Sequence, residues 1–156
     1  MRLKYFFTLS TFIMAILAFS CGPSEKEEIQ KVLSARENAF ETKNAEEYAE
    51  CISKEYQNMV DGKLVKYEDI KKNFENNSKI FDSIDLTSSD INIYMKDNSQ
   101  LADVYQKTQY RLTIGKDQSR YTALEELTLQ KTDGKWKIIK ESDIDLFKAF
   151  AFGSSN

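Results

Sequence analysis

The chain changes its hydrophobic rhythm twice. Tyr5 to Phe19 is an almost unbroken apolar run, Ile29 to Phe81 carries apolar positions at helical spacing, and Asp90 to Glu141 alternates. Ser24 with Glu27 three residues on is a capping box, and Ile29, Val32, Leu33, Arg36 and Phe40 then share a stripe, which predicts a first helix. Asn44 with Glu47 repeats the cap and predicts a short second helix through Cys51. Tyr56 to Val65 alternates weakly around Asp61-Gly62, a hairpin signal. Glu68 to Phe81 predicts a third helix with Ile70, Phe74 and Phe81 on one face, although Lys66 and Tyr67 stand where a Ser or Thr cap is expected.

The alternating half predicts strands. Asp90 to Lys96 is one, with Ile91, Ile93 and Met95 in step, and Leu101 to Ile114 is a longer one. Asp133-Gly134 between Tyr121–Thr132 and Lys135–Glu141 is a strong two-residue hairpin signal, because both central residues of a type I′ turn need positive φ. Its register sets Thr132 opposite Lys135, Lys131 opposite Trp136, Leu129 opposite Ile138 and Leu127 opposite Lys140. Leu127, Leu129, Trp136 and Ile138 then form a dry face, and Glu126, Thr128, Gln130, Lys135, Lys137 and Glu141 a wet one. Ile139 is the exception. A four-residue loop, Gly115 to Gln118, sets Leu112 opposite Tyr121, Tyr110 opposite Ala123 and Val104 opposite Leu129. Helices followed by long antiparallel strands make an α+β layer with helices on one sheet face.

That register places Gln106, Thr108 and Glu125 on the same face as Val104, Tyr110, Leu112, Tyr121, Leu127 and Trp136. A few polar groups inside an apolar wall are the composition of a ligand site. Gln106, Thr108, Tyr110, Tyr121, Glu125 and Trp136 are therefore the candidate ligand-binding residues. Desolvation would raise the Glu125 pKa, and a tyrosine hydroxyl bonded to its charged form would oppose that. A β-bulge at Glu125-Glu126 is the alternative; it would turn both carboxylates outward and bring Leu124 in.

The apolar run at the start, preceded by Arg2 and Lys4 and ended by Ala18-Phe19-Ser20-Cys21, has the layout of a secretory signal. Its roughly fifteen residues fall short of the twenty a spanning helix needs. The junction resembles the bacterial lipobox, with Ala18 where leucine is usual and Leu17 one place early. That resemblance implies lipidation of Cys21 and anchoring in the cell envelope, the outer membrane being expected because Gly22 is not aspartate. A cleaved soluble protein and an uncleaved anchor are the alternatives. With Cys21 lipidated, Cys51 is the sole thiol and no internal disulfide forms; its place beside Tyr48 and Ile52 reads as a small buried apolar residue.

FETKNAEEYAE across the helix pair, the short VDGKLV hairpin, the third helix and strands ending in LTLQKTDGKWKI resemble the nuclear-transport-factor-2-like superfamily, in its SnoaL-like branch. The resemblance covers roughly residues 25–143. It implies a cone, in which a curved antiparallel sheet wraps around the N-terminal helices and leaves a pocket at the wide end. The expected organisation is a signal peptide over 1–20, a lipidated cysteine and tether over 21–24, the domain over 25–143 and an apolar tail over 144–156.

Composition narrows the chemistry. The formal charge is −3, or about −5 without Arg2 and Lys4, and no basic stripe suits nucleic acid. Histidine is absent, which removes the commonest general base and transition-metal ligand. Asp143 and Asp145 have nothing beside them to complete a calcium loop, and neither a phosphate loop nor a nucleophile elbow is present. Asn76-Asn77-Ser78 fits a glycosylation triplet but reads as helix surface. No cofactor or metal is expected. The function expected is an anchored, non-catalytic pocket domain for a small apolar or amphipathic ligand. A protein-interaction or dimerisation domain is the alternative, and an isomerase or dehydratase with a carboxylate base is the third reading. Ile144, Phe147, Phe150 and Ala151 fall at helical spacing, and with Leu146 and Phe152 they either close the cone or meet a second subunit.

Overall fold

The computed structural model describes residues 23–60, 62–96, 100–142, 146, 150–151 and 154–155. The segment expected to be a signal peptide, Cys21, Asp61, Asp143, Asp145 and the tail residues Ile144, Phe147 and Phe152 lie outside them. Helix α1, Glu25–Glu41, opens on the capping box: Glu27 N–H donates to Ser24 Oγ at 3.3 Å and Ser24 N–H to the Glu27 carboxylate at 2.8 Å. Helix α2, Ala45–Cys51, opens on Asn44, whose Oδ1 accepts from the N–H groups of Glu46 and Glu47. Strands β1, Gln57–Val60, and β2, Lys63–Lys66, form the short hairpin. Helix α3, Tyr67–Ser78, has no Ser or Thr cap; Asp69 reaches back instead and accepts from Lys66 N–H at 3.1 Å. It stops short of Phe81, which is buried all the same.

Strands β3, Ser83–Lys96, β4, Leu101–Ile114, β5, Asp117–Thr132, and β6, Lys135–Glu141, pair antiparallel in that order. A two-residue strand β7, Ser154–Ser155, pairs with the start of β5. The fold is α+β, a curved antiparallel sheet around N-terminal helices. Its core includes Ile29 and Leu33 from α1 and Val104, Leu127, Leu129 and Ile138 from the sheet, all 3% exposed or less. Each such side chain contributes roughly 1.5–3 kcal/mol by leaving water.

Three registers differ from expectation. Strand β3 begins at Ser83 rather than Asp90 and carries a bulge between Ser89 and Asn92, with Asp90 at φ 52°; the bulge leaves Ile91 exposed. The β4–β5 turn has two residues, Gly115 and Lys116, with Gly115 at φ 60°. Positive φ at the first central position is what a type II′ turn asks of glycine. Tyr110 therefore faces Tyr121, Leu112 faces Ser119 and Val104 faces Leu127. The shift is two residues, so every side chain keeps its face. In the β5–β6 hairpin the pairs nearest the turn are as expected, but Ile139 is an extra residue and Leu127 faces Glu141 instead of Lys140. Ile138 and Glu141 thus both point inward, and Glu141 leaves the wet face assigned to it.

From the tail, Leu146 is buried and Phe150 packs edge-on against Phe81 at 6.0 Å between ring centroids.

Candidate functional site

Arg36 sits on the inner stripe of α1, one turn from Leu33 and Phe40, where an apolar side chain would be ordinary. It is 2% exposed. Its Nε donates to Glu141 Oε2 at 3.0 Å and its Nη2 to Glu125 Oε1 at 3.2 Å. Its Nη1 is buried without a hydrogen-bond partner among the described residues. The guanidinium also lies over the Phe40 ring, 5.1 Å from its centroid. Burial opposes the charge of Arg36, but Glu125 and Glu141 outweigh it and hold the pKa well above its ordinary value.

Glu125 points inward from β5 and is 2% exposed, while Leu124 is 85% exposed. The β4–β5 ladder runs through both without a bulge. Oε2 accepts from Gln106 Nε2 at 2.9 Å and from Thr108 Oγ1 at 2.5 Å; Oε1 accepts from Tyr110 at 2.5 Å and from Arg36. Burial pushes this carboxyl up, but the guanidinium and the hydrogen bonds from Thr108, Tyr110 and Gln106 prevail and hold it at about 2. Of the two opposing effects expected on it, desolvation is outweighed, with the guanidinium adding to the hydrogen bond from the tyrosine.

Of the six candidate residues, the fold brings Gln106, Thr108, Tyr110 and Glu125 into one cluster. Tyr121 is not in it. It stands across from Tyr110 yet is 36% exposed, and both acceptor positions of Glu125 Oε1 are already taken by Tyr110 and Arg36. Trp136 is also elsewhere. It pairs with Lys131, six residues and about 20 Å along β5 from Glu125. Its indole N–H donates to Glu25 Oε2 at 2.7 Å, and Lys131 bonds Glu25 and Glu28, so these residues pin the start of α1 to the β5–β6 hairpin.

Four residues outside that set complete the site: Arg36, Glu141, Tyr48 and Asn58. Glu141 reaches it because of the bulge at Ile139, and it accepts from Tyr48 of α2 on Oε1. Burial first, then Glu141, pushes the Tyr48 hydroxyl well above its ordinary pKa. Asn58 of β1 donates to the Glu141 carbonyl at 2.7 Å. The signals for these were an arginine inside an apolar stripe and the Ile138-Ile139 doublet that breaks alternation.

Arg36, Tyr48 and Glu141 line a cavity of about 170 Å³. Phe40, Phe74, Tyr56, Ile70 and Leu146 also line it, with Val60 and Val65 of the small hairpin and the polar side chains of Asn58, Asn73, Asn77, Ser78 and Ser142. Phe40, Tyr48 and Phe74 pack on one another with centroids 4.5–5.2 Å apart. Cys51 lies outside this cavity, and burial pushes its thiol up to about 11. Among the described residues no cluster of histidine, cysteine, aspartate and glutamate could hold a metal.

The fold has known counterparts. A protein of unknown function with a cystatin-like fold from Nostoc punctiforme superposes with a TM-score of 0.62 at 19% identity, over 74% of this chain and 86% of that one. An NTF-2 like protein of unknown function from Shewanella oneidensis gives 0.60 at 18% identity, over 76% and 97%. The fold is the nuclear-transport-factor-2-like cone. A hexachlorocyclohexane dehydrochlorinase from Novosphingobium barchaimii shares the cone, with a TM-score of 0.64 at 14% identity over 74% of this chain and 82% of that one. No protein-family model matches the sequence, and no curated protein matches it.

Proposed function

We propose that this chain is a lipid-anchored envelope protein whose cone is a non-catalytic pocket for a small apolar or amphipathic ligand. The observation that carries the reading is a cavity lined by Phe40, Tyr48, Tyr56 and Phe74, whose charged groups Arg36 and Glu141 are already engaged with each other. A general base needs a free lone pair directed at the substrate and a pKa near the working pH. Glu125 meets neither condition, since it accepts four hydrogen bonds and is held at about 2. Glu141 is tied to Arg36 and Tyr48, and the sequence has no histidine. The dehydrochlorinase named above therefore supports the cone for this chain and not its chemistry.

Native mass spectrometry of the purified protein tests the pocket. A removable small-molecule adduct is expected, absent from Val65→Trp, which fills the cavity beneath the hairpin. Identical spectra for the two proteins overturn the reading. Anchoring rests on Arg2, Lys4, the apolar run and Cys21. Cys21→Ser is expected to move the protein from the detergent to the aqueous phase or to leave the precursor uncleaved; a cleaved variant still partitioning into detergent removes the anchor.

A homodimer through the outer sheet face is the second reading. Leu124, Tyr105 and Tyr94 stand exposed there, and the two tyrosines pack edge-on at 5.8 Å. A concentration-dependent dimer abolished by Leu124→Glu, with an empty pocket, would favour it.

A further inference from the structure

We infer that the pocket takes a neutral amphiphile whose head carries paired hydroxyl or amide groups, bound by Asn73 and Asn77 of α3. This rests on the pocket reading above and narrows it to a chemical class. Helix α3 buries Ile70 and Phe74, and Asn73 and Asn77 stand on the adjoining stripe, where both line the cavity and meet solvent. Residues four apart on a helix lie about 5–6 Å from each other, so the two carboxamides form one polar edge. Asparagine is a weaker helix former than the lysines and glutamate around it, and Asn73 lies inside the helix rather than at a cap. Helix formation therefore does not account for it.

The charged groups of the lining are occupied. Among the described residues these are Arg36 and Glu141, which bond each other at 3.0 Å; Glu125 accepts from the same guanidinium, and Tyr48 donates to the other oxygen of Glu141. Asn58 and Ser142 are committed as well. Asn58 donates to the Glu141 carbonyl and accepts from Met59 N–H, and Ser142 exchanges hydrogen bonds with the backbone of Glu126. The side chains of Asn73 and Asn77 bond no described residue. An anion finds no spare cation in this lining, and a cation would have to take Glu141 from Arg36. A carboxamide offers an acceptor oxygen and two N–H donors. The head that satisfies two of them side by side both donates and accepts, as a vicinal diol or an amide does. Phe40, Val65, Ile70, Phe74 and Leu146 supply apolar surface for the rest of the molecule.

The test uses the full-length protein and four probes with one tail: 1-O-hexylglycerol, 1-methoxyhexane, hexanoate and hexylamine. Dissociation constants are measured together with the side-chain amide resonances of Asn73 and Asn77, assigned by their loss in Asn73→Ala and Asn77→Ala. Both positions are exposed and alanine is the better helix former, so neither change threatens the fold. Hexylglycerol is expected to bind at least about tenfold more tightly than methoxyhexane, the factor two neutral hydrogen bonds supply, and to shift both side-chain resonances. Combining Asn73→Ala with Asn77→Ala should bring hexylglycerol and methoxyhexane to equal affinity. Tighter binding of hexanoate or hexylamine overturns the inference and leaves the pocket reading standing. So does a preference for hexylglycerol that survives the double change, or one that Val65→Trp does not weaken. Failure of all four probes overturns the inference, and the pocket reading with it where native spectra show no adduct either.

Discussion

Glu125→Gln removes one negative charge from the buried cluster and keeps the side chain's shape. The Glu125 carboxyl is held at about 2 in the folded chain, against 4.5 for an unconstrained one. That gap corresponds to about 3 kcal/mol. The folded value is the lower, so the contribution is complete above the unfolded value of 4.5 and is lost as the pH falls towards 2. The amide keeps one oxygen for the four donors that now converge there, and the Arg36–Glu125 attraction disappears. Urea unfolding followed through Trp136, the sole tryptophan, measures both proteins from neutral pH downward. The variant is expected to be less stable by about 3 kcal/mol at neutral pH, with the two curves converging near pH 2. Every other carboxylate is common to both proteins, so the difference curve belongs to this site. Glu126→Gln, on the exposed face of the same strand, should follow wild type. Parallel curves for wild type and Glu125→Gln, separated by the same amount at every pH, would falsify the assignment of the low pKa to Glu125.

Arg36→Met leaves Glu125 and Glu141 buried without their shared cation; a loss of about 3–5 kcal/mol is expected at neutral pH, shrinking in acid as the carboxylates protonate, and a pH-independent loss in urea titrations would contradict this. Cys51, with its thiol pushed up to about 11, should resist iodoacetamide at pH 8 in the folded protein and react once urea exposes it, so rapid alkylation without denaturant would show that the α2 stripe is open. Trp136→Phe removes the N–H that holds Glu25, and amide exchange should accelerate in the first turn of α1 while the rest of the helix keeps its protection.

Most of the architecture was legible because local signals agreed with one another. The caps at Ser24 and Asn44 start helices where side-chain oxygens satisfy backbone N–H groups, and Asp133-Gly134 closes its hairpin in the expected register. The β4–β5 loop was misjudged by two residues on each pairing because Gly115 by itself satisfies a shorter turn. That error was harmless to the faces, since the side-chain period is also two. Gln106, Thr108, Tyr110 and Glu125 were therefore found together in spite of it. Glu141 was lost to the opposite kind of error: one extra residue at Ile139 inverts everything after it. Trp136 shares the inner face, but six residues along β5 separate its partner Lys131 from Glu125, and a face assignment carries no such distance; Tyr121 stands across from Tyr110 but is 36% exposed.

Stability alone does not account for the Arg36–Glu125–Glu141 group. Apolar side chains of similar volume in place of a buried ion group are often as stable or more so. What the ions supply is geometry. Arg36 comes from α1, Glu125 from β5, Glu141 from β6 and Tyr48 from α2, so the guanidinium ties α1 to two strands and Glu141 in turn ties in α2. An apolar contact tolerates sliding, whereas a guanidinium held through separate nitrogens by two carboxylates does not. The strands supply the rigidity behind it: Gln106, Thr108 and Tyr110 hold the far side of Glu125. The bulge at Ile139 is what admits Glu141, at the cost of a ladder step in β6. The result is a cavity lining in which Arg36, Tyr48 and Glu141 are set in place by strong, directional bonds.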